Sequence, residues 1–367
     1  MKFSTQQDVA LKAVDAWLKK GQSPVFRLFG YAGAGKTTLA RHIAENADGE
    51  VAFAAFTGKA AHVMRNKGCV DASTIHSLIY RPTGDEDEDD GPSFTIRHDA
   101  PASKADLIII DECSMVDEDL GRDLLSFGIP VLVLGDPAQL PPVKGGGFFT
   151  QGDPDYMLTE IHRQAEDNPI IHLSMLIREK GVEAVTQMES SGDALQFISK
   201  RDIDADTILE CDQVLVGTNK TRRKFNDRIR ELKGHLDTTP EAGEKLVCLR
   251  NNKKKGLLNG GLWSVTLKKT ARGTKARMIV RPEEGGKSVS INVPHGFFSE
   301  GAENIPYTQR RNADEFDYGY ALTVHKAQGS QWDHVVLFDE SWAFREHSQR
   351  WLYTAVTRAA KQLTLVR

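Results

Sequence analysis

Apolar positions along this chain fall into two rhythms. Short continuous runs, Val25 to Phe29, Val51 to Phe56, Leu107 to Ile110 and Val131 to Leu134, have the length of strands buried on both faces. Segments with helical spacing lie between them: residues 4–20, with Ser4 or Thr5 as cap, one from about Lys36 and one from about Gly58. The alternation resumes with a strand Gln213 to Val216, a helix Lys220 to Leu232, a strand His334 to Phe338, a helix Ser348 to Arg358 and a strand Leu363 to Val366. This predicts an α/β fold of two parallel-sheet units with a boundary near Thr159 to Asn168. Two segments break the rhythm. Residues 81–104 join Pro82, Gly84, Gly91 and Pro92 to the strand-like Phe94 to Arg97, a small hairpin excursion. Residues 258–313 contain the strand-like runs Trp263 to Leu267, Arg277 to Val280 and Val289 to Val293, a small β-domain inserted into the second unit.

Composition excludes more than it assigns. With 367 residues, 40% hydrophobic and 27% charged, the chain is neither disordered nor a disulfide scaffold. No run of about 18 apolar residues occurs, so no membrane contact is expected. The N-terminal MKFSTQQDVALKAV lacks the apolar core of a secretory signal, which predicts a cytoplasmic protein. Cys69, Cys113, Cys211 and Cys248 form no C-x-x-C pair and read as small core residues rather than metal ligands. The net charge of -4 hides an asymmetry: Asp85 to Asp90 are six consecutive acids, and without them the balance is +2. Basic clusters at Lys220 to Lys224, Lys253 to Lys255 and Lys268 to Arg281 suit either a solvated face or phosphates.

Three strand-end motifs carry chemistry. GYAGAGKTT, Gly30 to Thr38, matches G-x-x-x-x-G-K-[ST] between a strand and a helix. Gly33, Ala34 and Gly35 let backbone N–H groups close on phosphates, Lys36 reaches the β and γ phosphates, and Thr37 offers a hydroxyl to Mg²⁺. In LIIIDEC an apolar strand delivers Asp111, which suits Mg²⁺ held through water, and Glu112, placed to activate an attacking water. LGDPAQLPPV ends another strand at Gly135 and Asp136, with Gln139 on a stiff proline-bounded loop suited to sensing a γ-phosphate.

These residues resemble motifs I, II and III of superfamily 1 helicases. Phe3 to Ala10 resembles the Q-motif, Ala55 to Ala61 motif Ia, Ser73 to Ile79 motif Ib and Leu158 to Gln164 motif IV. Tyr320 to Asp333 resembles motif V and Leu352 to Leu363 motif VI. The wording is similar to superfamily 1B, the RecD/Dda-like branch, and covers residues 3 to 363.

The resemblance implies two RecA-like P-loop domains, residues 1–160 and 161–367, closing on ATP and Mg²⁺. It makes the excursion at 81–104 a wedge element and the insertion at 258–313 an SH3-like β-domain. It implies ATP contacts at Gln7, Gly33, Ala34, Gly35, Lys36, Thr37, Thr38 and Gly329, with catalytic roles for Lys36, Asp111, Glu112, Gln139, Arg163 and Arg358. The two arginines would stabilise charge on the γ-phosphate. Thr57, His76, Asn219, Thr323, His325 and Lys326 would contact single-stranded DNA. The implied activity is an ATP-dependent DNA helicase moving 5′ to 3′ on single strands and at single/double-strand junctions, with replication or recombination proteins as partners. The small extent beyond the motifs suggests a minimal core, prokaryotic or phage-encoded. Two other readings stay open: an ATP-gated single-strand remodeller that displaces proteins without unwinding, and an RNA helicase.

Overall fold

A computed structural model describes residues 3–82, 94–96, 99–141, 147–160, 168–272, 274–283, 285–301, 304–310 and 313–367. The acidic run 85–90, Arg163 and the end of the proline-bounded loop, 142–143, lie outside the described residues. The chain forms two compact units. The first comprises Met1–Gly84, Ser93–Met188 and Glu346–Thr357; the second takes the remainder.

The first unit carries β1 (Val25–Gly30), β2 (Val51–Ala55), β3 (Ser73–Thr74), β4 (Tyr80–Pro82), β5 (Phe94–Ile96), β6 (Leu107–Asp111), β7 (Val131–Gly135) and β8 (Tyr156–Leu158). Six of them form a parallel sheet in the order β3-β2-β6-β7-β1-β8, so the phosphate-loop strand sits inside it. Both faces of this sheet are buried, as the continuous apolar runs require. Ile109, Leu132 and Leu134 pack into one apolar cluster with Leu39, Ile43 and Met64. Their alternate neighbours Ile108, Ile110, Val131 and Val133 pack into another with Ile75, Leu120 and Leu124. The helix Thr5–Lys20 opens with a capping box in which Ser4 and Gln7 bond each other's backbone N–H. β4 and β5 pair as an antiparallel ribbon, Tyr80 opposite Ile96.

The second unit carries β9 (Leu195–Ile198), β10 (Gln213–Val216), β11 (Lys245–Cys248), β12 (Leu262–Arg272), β13 (Lys275–Pro282), β14 (Val289–Pro294), β15 (Phe316–Tyr318), β16 (Ala321–Thr323), β17 (Trp332–Phe338) and β18 (Ala359–Val366). A parallel sheet runs β16-β10-β17-β18-β9. An antiparallel sheet runs β14-β13-β12-β11-β15, so it draws on strands on either side of 258–313. Its core includes Trp263, Val265, Met278, Ile291 and Phe316. Among the described residues no helix is long and apolar enough to cross a membrane.

Acids before and within β15 are buried against basic side chains. Lys255 meets Asp314, Arg250 and Arg310 meet Glu315, and Arg222 Nη1 lies 2.7 Å from Asp317 Oδ2. Arg222 is on the helix Asn219–Leu232, so this pair ties the helix to β15. Both side chains are almost fully buried, and breaking such a pair strands the surviving charge. Asp317→Ala is expected to cost about 3–5 kcal/mol in urea unfolding, most of it recovered when Arg222→Met and Asp317→Leu replace both charges. A cost below about 1 kcal/mol would show that water reaches the pair.

Candidate active site

The phosphate loop follows from β1 and its glycines. Gly33 and Gly35 have φ of 82° and 80°, the left-handed region that glycine enters without strain. Gly35 is the N-cap of the helix Lys36–Asn46, whose first N–H groups have no helical partner. At Gly30 an added Cβ would lie 2.8 Å from that of Leu158 on β8, so close strand packing demands glycine there. Lys36 Nζ donates to the carbonyls of Gly30 at 2.6 Å and Tyr31 at 3.1 Å, which places the ammonium across the loop. Thr38 follows half-buried in the same helix. Gln7 is buried against the loop: its Oε1 accepts from Ser4 N at 3.1 Å and its Nε2 donates to Ala34 O at 3.2 Å.

The end of β6 meets the loop through one hydrogen bond. Thr37 Oγ1 donates to Asp111 Oδ2 at 3.0 Å, while Asp111 Oδ1 accepts from Glu112 N at 2.8 Å. Two hard oxygen donors brought together beside a lysine fit a magnesium ion carried with phosphates. Glu112 has φ 55° and ψ 44°, a left-handed conformation that costs a non-glycine residue about 1–3 kcal/mol. The β7 loop contributes Gln139, 6% exposed, whose Oε1 has no hydrogen-bond partner among the described residues. A buried acceptor without a partner is costly, and a bound group that donates to it would relieve that cost.

Two neighbours of the loop escaped the sequence reading. The Arg178 guanidinium lies over the Tyr31 ring, 3.5 Å from its centroid. Arg178 stands in an ordinary amphipathic helix, and no spacing signal marks it. Tyr353, on the helix Ser348–Val356, bonds both Ala32 N and Asp136. It belongs to the motif VI-like segment, where an aromatic among apolar residues reads as core.

The second unit gathers its residues at the carboxyl ends of its strands. Arg358 is buried and donates to Ser330 O at 3.1 Å, next to Gly329 with φ 73°. Val216 and Thr323 are register partners on β10 and β16, so the helix starts bearing Asn219 and, next to it, His325 and Lys326 leave the sheet side by side. Thr323 is buried and caps a short helix by accepting from Lys326 N, as Thr57 in the first unit does from Ala60 N. Asn219 is exposed and accepts from Arg222 Nε at 3.3 Å. His325 packs against Phe344, ring centroids 5.5 Å apart. Close protein surroundings, and then the Arg222 guanidinium, push the Lys326 ammonium down, although much of its side chain reaches solvent. Glu340 caps the start of the helix Asn219–Leu232: its carboxylate accepts from Gly217 N at 2.7 Å, Thr218 N at 3.1 Å and Thr221 Oγ1 at 2.6 Å.

His76 sits between Phe56 and Tyr80 and opens onto a cavity of about 700 Å³ lined also by Asp117, Asp119 and Asp123. Three carboxylates around it disfavour a phosphate at that spot.

Comparison with known proteins fits this arrangement. A family model described as AAA domain matches residues 4–200, and one described as UvrD-like helicase C-terminal domain matches residues 318–366. The ATP-dependent RecD2 DNA helicase of Deinococcus radiodurans is 30% identical over 359 residues, 90% of this chain and 45% of its own. Two structures of Pif1 helicases, one from a study of unwinding at forked duplex DNA and one from Bacteroides with ADP-AlF3 and single-stranded DNA, superpose with TM-scores of 0.64 and 0.61. Each is 20% identical and covers all of this chain and 92% of its own. The chain belongs to the AAA domain family. The chain spans between about a third and a half of the length of the first curated relatives it matches.

Burial lowers the His76 imidazole below its ordinary 6.5, with Asp117 opposing. As pH falls through 6.5 the unfolded chain takes up a proton that the folded chain resists, so stability declines with acidification. His76→Phe is expected to flatten the melting temperature against pH between about pH 7 and 5 relative to wild type. An identical slope would mean that His76 titrates normally in the folded chain.

Proposed function

We propose that this chain is an ATP-dependent DNA helicase that translocates 5′ to 3′ on single strands. The observation that carries it is the Thr37–Asp111 hydrogen bond beside Lys36, with Glu112 held at a strained strand end and Gln139 offering an unpartnered oxygen. Thr37 and Asp111 would hold Mg²⁺, Asp111 through water. The ion supplies charge neutralisation on the phosphates when bound. Lys36 binds phosphate oxygens, Glu112 takes the proton of the attacking water, and Gln139 orients that water. Gln7, Gly33, Ala34, Gly35, Thr38 and Gly329 complete the nucleotide contacts, and Arg163 and Arg358 stabilise the γ-phosphate charge.

Residues 1–160 and 161–367 are assigned to two motor domains, the stretch up to Met188 and Glu346–Thr357 counting in the second by that division although both group with the first compact unit. The ribbon in 81–104 is assigned as a strand-separating wedge and the antiparallel sheet around 258–313 as an SH3-like domain. Thr57, Asn219, Thr323, His325 and Lys326 are assigned to the DNA backbone. His76 is assigned to a base or sugar, a reading supported by the carboxylates around it. Single strands and their junctions with duplex are the substrates, replication or recombination proteins the partners, and the cytoplasm of a prokaryote or of a phage host the setting.

The test is ATP hydrolysis with and without a short single-stranded oligonucleotide. Wild type is expected to be strongly stimulated, and Lys36→Ala and Glu112→Gln each to lose about 10²–10³ in kcat. Unwinding is expected with a 5′ overhang; unwinding from a 3′ overhang alone would reverse the polarity, and hydrolysis indifferent to DNA would remove the motor reading.

A further inference from the structure

Tyr353 is a buried polar group to which the proposed chemistry gives no task. It belongs to the first unit, through Glu346–Thr357, and is 1% exposed. Its hydroxyl donates to Asp136 Oδ2 at 2.6 Å and accepts the N–H of Ala32 at 3.2 Å. One oxygen atom therefore joins the phosphate loop to the start of the β7 loop.

Asp136 shapes that loop. Its Oδ1 accepts from Ala138 N at 3.0 Å, and its carbonyl accepts from Gln139 N at 3.1 Å. The turn that presents Gln139 is thus built on Asp136, with Tyr353 holding the free carboxylate oxygen. The next residue is held from the same helix: Leu140 N donates to Thr354 Oγ1 at 2.9 Å. Asp136 and Thr354 are 1% and 0% exposed, so water does not compete for these bonds. A hydrogen bond to a carboxylate in dry surroundings is among the stronger kinds. Burial and the neighbouring Asp136 raise the phenol well above its usual pKa, so it stays a neutral donor.

A structural need for an aromatic ring does not account for this arrangement. A phenylalanine fills the same core volume, and it is the hydroxyl that spans two loops of different origin. Both loops face the nucleotide in the reading above: one carries Lys36, the other Gln139.

We propose that Tyr353 is a positioning residue for recognition of the third phosphate of a nucleoside triphosphate. Its hydroxyl ties the Asp136–Gln139 turn to the phosphate loop, so the Gln139 amide stands at a fixed height above it. This rests on the ATP-hydrolase reading. The consequence concerns discrimination rather than affinity in general. A diphosphate has no group for Gln139 to meet, whereas a triphosphate needs Gln139 in place.

The experiment titrates the full chain with ADP and with slowly hydrolysed ATPγS, each with Mg²⁺, by calorimetry. Tyr353→Phe is expected to bind ADP within about twofold of wild type and ATPγS about tenfold more weakly. Asp136→Asn, which keeps the tyrosine, is expected to lose ATPγS affinity to a similar extent, and the double variant little more than either. This second variant also covers the case in which Tyr353→Phe does not fold. A wild-type ratio of ATPγS to ADP affinity in both variants overturns the inference. Equal weakening of both nucleotides overturns it too, since that marks general damage to the loop. A wild type that binds neither nucleotide overturns the hydrolase reading, and the inference with it.

Discussion

A hydrogen bond of 3.0 Å from Thr37 to Asp111 closes the site, and the sheet order is what makes it available. Thr37 lies in the first turn of the helix after β1 and Asp111 ends β6, yet β7 lies between those two strands. All three are parallel, so their carboxyl ends fall on one edge of the sheet and their loops lean over the same spot. An antiparallel neighbour would send one of the three loops to the far edge. The apolar alternation that buries both sheet faces therefore also fixes where the carboxylate, the lysine and the amide can meet.

The parts legible in the sequence are those where local backbone and chemistry coincide. Gly33 and Gly35 announce a left-handed loop, and Ile108 to Ile110 announce a strand buried on both sides, because each signal is complete within a few residues. The α/β class and the family follow from such signals. The strands that escaped are short or depend on distant partners. Ser73–Thr74, Tyr156–Leu158 and Ala321–Thr323 are each two or three residues long and gain their pairing from neighbours far along the chain. Lys245–Cys248 and Phe316–Tyr318 lie outside 258–313 but pair with each other, and the former pairs with β12, a nonlocal fact with no local trace.

The site divides in the same way. Lys36, Thr37, Asp111 and Glu112 are named by spacing, since phosphate chemistry dictates both residue type and position. Tyr353 and Arg178 reach the loop from distant helices, and nothing within their own segments marks either for that duty. The Glu346–Thr357 stretch shows the limit most clearly. In the chain it lies between two strands of the second unit's sheet, but it packs with the first.

The Glu340 carboxylate at the head of the helix Asn219–Leu232 has a consequence of its own. Its oxygens take the Gly217 and Thr218 amides and the Thr221 hydroxyl, the kind of donors that a strand–loop–helix junction offers to an anion. The second unit thus carries a built-in counter-anion, and a mobile one entering there would meet like charge and spent donors. The two parallel sheets are alike in architecture, but at this strand–loop–helix junction of the second the chain seats an acid of its own.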